Sequence, residues 1–140
     1  MADQNFCARW SRWSPYLLSL LRIVVAFAYV QHGTQKLFAF PAPMGPNGTV
    51  PLHTIFGAAG IIETIGGLLL LVGLCTRPVA FICSGEMAVA YFKYHAPHGF
   101  WTLLNHGEIV AVFCFTWLYL SAVGGGAWSL DALLRRGGRP

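Results

Sequence analysis

Charged side chains are what this chain has least of. Nine Lys and Arg and five Asp and Glu amount to 10% of its 140 residues, while 56% are hydrophobic. Soluble domains carry about a quarter charged residues, so the composition points to a membrane protein. Cysteines are few and dispersed. Cys7, Cys75, Cys83 and Cys114 form no Cys-x-x-Cys pair, which argues against a dithiol oxidoreductase and leaves them as small buried hydrophobes. No glycine-rich nucleotide loop, cysteine cluster or haem-attachment motif is present, so no cofactor is written into the sequence. The histidines, at 32, 53, 95, 98 and 106, make no i, i+4 pair on one helix, and no metal site is expected. The formal charge of +4 reads as membrane topology, and no nucleic-acid partner is expected.

What is present is a set of long apolar runs. The most informative is IFGAAGIIETIGGLLLLVGLCTR, from Ile55 to Arg77, with a single acid, Glu63, near its middle. Gly60, Gly66, Gly67 and Gly73 lie at helical spacings from Glu63, which marks a small-residue face that a neighbouring helix can approach closely. An ionised carboxylate at the centre of a membrane helix costs about 3 kcal/mol on insertion scales, so it is rarely left facing lipid. Three more apolar runs, each with its own ionisable group, give an all-α, integral-membrane four-helix bundle. Its helices are expected at about 15–38, 53–74, 78–94 and 105–122. Four spans fill 1–140 as one transmembrane domain with short interfacial N- and C-terminal segments.

The boundaries have local reasons. Phe6, Trp10 and Trp13 with Arg9 and Arg12 suit a short helix in the headgroup region. The run that follows contains Arg22 and ends in QHGTQK, which is unlike a signal peptide. Ser14-Pro15 reads as a helix start, with Ser14 as cap. Pro41 to Pro51 is an uncharged proline- and glycine-rich loop. Gly124–Gly126 ends the fourth helix, and Ser129 caps a last short one with Asp131 in its first turn and Arg135 and Arg136 in its last. Arg9, Arg12, Arg77, Arg135, Arg136 and Arg139 fall on the side of both termini and the 2–3 turn, against Lys36 and Lys93 on the other. The positive-inside rule then places both termini in the cytoplasm of a bacterial inner membrane.

The candidate site residues gather towards the outer side. His32 and Lys36 share a face of the first helix, and Arg22, Tyr29 and Lys36 form a stripe seven residues apart. Glu63 and Glu86 sit near the midplane, where neither can snorkel, so each needs a cation, a hydrogen-bond donor or a proton, with Arg22 and Lys36 the candidate cations for Glu63. His95, Asn105, His106 and Glu108 complete a polar shaft, and Glu86 and Lys93 share a face at seven residues. Bland readings stand beside these. Arg22 is either a charge partner inside the shaft or an interfacial anchor, Lys93 reads best as a snorkelling cation, and Asn105 with Glu108 matches a capping box. Glu63 and Glu86 can also serve only as glue between helices.

The stretches LLRIVVAFAYVQHGTQKLF, GIIETIGGLLLLVGLCTRPVA, AVAYFKYHAPHGFW, NHGEIVAVF and AWSLDALL, in this order, resemble the DoxX family of small four-span bacterial membrane proteins. The likeness runs from about Leu17 to Leu134. Arg22, His32, Gly33, Lys36, Glu63, Gly67, His95, Asn105, Glu108 and Asp131 fall at recurring positions of that family, whereas His106 stands where a glycine is commoner. The resemblance implies association with thiosulfate:quinone oxidoreductase, with other membrane redox complexes and redox-stress responses, or, in distant relatives, with assembly and cargo-receptor roles. Two functions are therefore expected to compete. One is a quinone-linked redox component that binds a quinone headgroup or small polar ligand at His32, Lys36, Glu63, Glu86, His95, Asn105, His106 and Glu108, drawing electrons through partner redox subunits. The other is a non-catalytic membrane partner or assembly factor, alone or as a homo-oligomer, whose buried charges are structural. In both the lipid bilayer is the surrounding partner.

Overall fold

A computed structural model describes residues 9–44 and 48–137; Phe6, Cys7 and Arg139 lie outside the described residues. Regular structure among the described residues is helical throughout. Helix α1 spans Ser14–Phe38, α2 Ile55–Val72, α3 Thr76–Ala90, α4 Glu108–Val123 and α5 Leu130–Gly137. A π-helical turn, Tyr91–His95, and a 3-10 turn, Ala96–His98, continue α3. α1 and α2 are long and apolar enough to cross a membrane, and α4 is apolar but shorter.

Several boundaries follow local chemistry. The Thr54 hydroxyl caps α2 by accepting from the Gly57 amide at 3.2 Å. Gly73, at φ 72°, closes α2 in the left-handed conformation that glycine adopts without penalty. The Ser129 hydroxyl caps α5 by accepting from the Ala132 amide at 3.2 Å. Other boundaries differ from the sequence reading. Ser14 is not a cap, because the residues before it already turn helically and Trp13 receives the Leu17 amide at 2.9 Å. α3 starts at Thr76, because Asp131 reaches across from α5 and accepts from the Cys75 and Thr76 amides, both at 2.8 Å. α4 starts at Glu108 rather than near 105, and the Asn105–Glu108 capping box does not form. The Asn105 carboxamide oxygen instead accepts from the Gly107 amide at 2.8 Å, inside the loop.

Helix packing rests on missing side chains. A methyl group on Gly33 would lie 2.5 Å from the Thr64 amide nitrogen, and one on Gly67 would lie 2.6 Å from Val30 Cγ2, so α1 and α2 run in close backbone contact. α2 meets α3 where Gly66 faces the Cys83 sulfur, 2.6 Å from where a Cβ would stand. An aromatic core joins α1 to α4: the Tyr29 ring packs edge-on against Phe113 and Trp117 at 5.3 and 5.4 Å, and the last two stack.

Arg22 closes one end. It is fully buried, and its guanidinium donates to the carbonyls of Leu70 (2.5 Å), Leu71 (2.6 Å), Gly125 (2.8 Å) and Trp128 (2.5 Å). Its nearest counter-charges are therefore the carbonyls at the negative end of α2 and in a loop, with the Asp131 carboxylate acting from beyond ion-pair distance. Full burial corrects the reading of Arg22 as an exposed anchor, and its hydrogen bonds run to carbonyls rather than to an acid.

Asp131 offers a test of this end. Partial burial pushes its carboxyl up, but hydrogen bonds from Thr76 and the Cys75 amide, with the Arg135 charge, pull it further down, below the ordinary 3.8. A depressed folded-state value means the stabilisation is complete above the ordinary carboxylate range and fades as pH falls through the folded value. Asp131→Ala should cost about 1 kcal/mol at neutral pH, the order of a lost helix cap. The gap in melting temperature between the two proteins should close on strong acidification, as scanning calorimetry in detergent would read. A gap that persists unchanged into strong acid contradicts the capping role.

Candidate functional site

Helices α1 to α4, with the π turn and the loop before α4, line a cavity of about 530 Å³. Its polar groups come one by one from separate elements. α1 supplies His32 and Lys36, one turn apart; α2 supplies Glu63; α3 supplies Glu86. The π turn adds Tyr94 and His95, and the loop before α4 adds His106. The remaining wall is apolar, including Phe56, Ile62, Ile82, Met87, Ile109 and Phe113.

Two acid contacts define its chemistry. Lys36 Nζ lies 2.8 and 2.6 Å from the two Glu63 carboxylate oxygens, with side-chain exposures of 13% and 3%. Glu63 thus has its cation in Lys36, one of the two candidates the sequence offers. Glu86 has a neutral partner instead: the Tyr29 hydroxyl donates to its Oε2 at 2.9 Å. No cation lies within ion-pair distance of Glu86 among the described residues, and the carboxyl lines the cavity. The His32 ring stands edge-on to Phe113 at 5.7 Å. The arrangement can donate from Lys36 and His32 and can accept a hydrogen bond or a proton at Glu86.

Other candidates fall elsewhere. Asn105 is buried outside the cavity lining, where its amide donates to the Gly99 carbonyl at 2.8 Å and its own carbonyl meets His95 Nδ1 at 3.0 Å. It shapes the loop that presents His95 and His106. Glu108 is exposed at the start of α4 and does not line the cavity. His106 has φ 56°, a backbone state for which glycine is the default residue. Lys93 does not share the Glu86 face. The wide π turn rotates it outward, and its ammonium lies over the Tyr94 ring at 5.9 Å. Tyr29 is the residue that the candidate set lacked, although its seven-residue spacing from Arg22 and Lys36 placed it on the right stripe.

All regular structure among the described residues is helical, and two of the helices are long and apolar enough to cross a bilayer, the pattern of a helical membrane protein. The DoxX family profile matches residues 17–96, and the chain belongs to that family. A Haemophilus influenzae protein, described as uncharacterized, is 44% identical over 126 residues, covering 86% of this chain and 92% of that one. An uncharacterized membrane protein of Mycobacterium tuberculosis is 27% identical over 137 residues, covering 87% and 83%. No solved structure matches the chain.

The ion pair carries its own prediction. Removing one member of a buried pair strands the other, at about 3–5 kcal/mol. Glu63→Ala should therefore destabilise more than Glu63→Gln, which keeps a hydrogen-bond acceptor for Lys36. Lys36→Met should cost as much as Glu63→Ala, and combining it with Glu63→Leu should recover most of the loss. Thermal unfolding in detergent reads all four. Small, equal losses for the single variants would show that the pair is solvated.

Proposed function

We propose that the chain is a single four-span domain of a bacterial inner membrane, with cytoplasmic termini, that binds a quinone headgroup in its cavity as a component of quinone-linked redox chemistry. The observation that carries the reading is the pairing of an apolar chamber with an interior donor, Lys36, and an acceptor, Glu86, that is in no ion pair among the described residues. A quinone headgroup needs a donor to its carbonyl and a route for its protons. Lys36, which still has N–H capacity beyond Glu63, and the His32 ring supply donors. Glu86, held by Tyr29, takes or returns a proton, and electrons reach the headgroup from a partner subunit.

The four-span topology has separate support. α3 continues through its π and 3-10 turns without a break to His98, and large apolar side chains such as Phe81, Phe92, Val112 and Phe115 are exposed on α3, its continuation and α4. Trp10, Trp13 and Trp128 are exposed at the Arg22 end, and Phe100 and Trp101 at the other, as interfacial belts require. In a cysteine-free background, Pro43→Cys should label with an impermeant thiol reagent on intact cells and Arg136→Cys should not. The reverse pattern would overturn the orientation.

Binding is tested by titrating a soluble benzoquinone against tryptophan fluorescence, with Trp117 beside the cavity wall as reporter. Glu86→Gln and His32→Phe should each weaken binding about tenfold, or 1.4 kcal/mol. Glu108→Gln should leave it unchanged. Absence of saturable binding by the unmutated protein would sink the quinone reading. The rival reading, a non-catalytic membrane partner, draws support from Arg22, Asn105 and Asp131, whose polar contacts are largely with backbone. It predicts a stable complex with another membrane protein and an unliganded cavity.

A further inference from the structure

The cavity has an opening in its side. At one end α2 and α3 touch, Gly66 against the Cys83 sulfur, and at the other Phe56 of α2 and Tyr94 of the π turn bring their rings to 5.0 Å. Between these two contacts the helices stand apart. Ile82, Gly85 and Val89, one row along α3, line the cavity and are all exposed, Ile82 by 57% and Val89 by 54%. Lining residues this exposed mark the side along which the cavity is open. Gly85 lies at its centre: a Cβ built there meets nothing within 4 Å, in contrast with the tightly faced Gly33, Gly66 and Gly67. The packing of α3 therefore does not require a glycine at 85, whereas free passage does.

We propose that this gap is a lateral portal to the bilayer, and that the ligand of the cavity is a long-tailed, lipid-dissolved molecule whose headgroup meets Lys36 and Glu86 while its hydrocarbon tail lies out through the gap between α2 and α3. The identity of the headgroup rests on the quinone reading; the portal does not. Phe56, Ala59, Ile82 and Val89 give the rim a mainly apolar surface, along which a hydrocarbon chain can lie with little desolvation of polar groups. Lys36 and Glu86 line the chamber itself, so a ligand arriving from lipid enters headgroup first and leaves its tail where it began. Tail contacts along the rim then add affinity in proportion to the apolar area they bury.

Gly85→Trp tests this directly, because the open space at that position leaves the fold intact. In nanodiscs, a decyl-substituted benzoquinone should bind the variant about tenfold more weakly, while the same headgroup without a tail should change by less than about twofold. Equal effects on both ligands, or none on either, overturn the portal. If the unmutated protein binds neither, the quinone reading falls, and the portal is judged with a photoreactive long-chain alkyl diazirine in the bilayer. Crosslinks on the inward-lining Ile62, mapped by mass spectrometry and lost in Gly85→Trp, support it. Crosslinks that persist in the variant, or absence of any on Ile62 in the unmutated protein, overturn it.

Discussion

A fully buried guanidinium whose hydrogen bonds all run to backbone carbonyls is the constraint on which the rest of the structure depends. Charge in an apolar interior must be met by oppositely directed dipoles, and Arg22 meets the carbonyls at the end of α2 and in the segment after α4. Those contacts join α1, α2 and the chain leading to α5 at one point. Asp131, next along, ties α3 to the same point through the Cys75 and Thr76 amides. One end of the molecule is thus knitted by charge-assisted bonds to backbone, and the other is free to widen into a chamber.

The chamber's own charges have a different character. Lys36 and Glu63 satisfy each other, and an isolated buried pair of this kind adds little net stability over well-packed apolar residues. Glu86 is hydrogen-bonded to the Tyr29 phenol rather than ion-paired. Polar groups that stabilise little and face an open space are better explained by what enters that space. Arg22, Asn105 and Asp131 contrast with them, since their polar contacts run to backbone in the described structure.

How much of this was legible in the sequence depended on the kind of partner. Residues that pair side chain to side chain betrayed themselves by spacing: Lys36 with Glu63 was among the candidate pairs, and the glycines around Glu63 marked the face where α1 packs. The Ser129 cap was equally plain. Partners made of backbone left no trace, which is why Arg22 was matched with an acid and Asn105 with Glu108. The π turn at Tyr91–His95 was also invisible. Its one additional residue per turn has no compositional signature, yet it turns Lys93 outward and brings His95 to the chamber. The family resemblance indicated which positions recur, but only the geometry separated those lining the chamber from those holding the loop.

The contact between Gly66 and Cys83 has a mechanical meaning. On this side of the chamber α2 and α3 next meet at the Phe56–Tyr94 rings, so the contact acts as a fulcrum between these two helices. From Gly66 to Phe56 the arm is about 15 Å long, at 1.5 Å of rise per residue. A rocking of about 4° at the fulcrum therefore moves the tips by about 1 Å, by the same helix geometry. The thickness of whatever side chain sits opposite Cys83 sets the resting aperture of the mouth. A glycine there lets the two helices close to side-chain contact at the fulcrum, while the Phe56 and Tyr94 rings meet at the far tip.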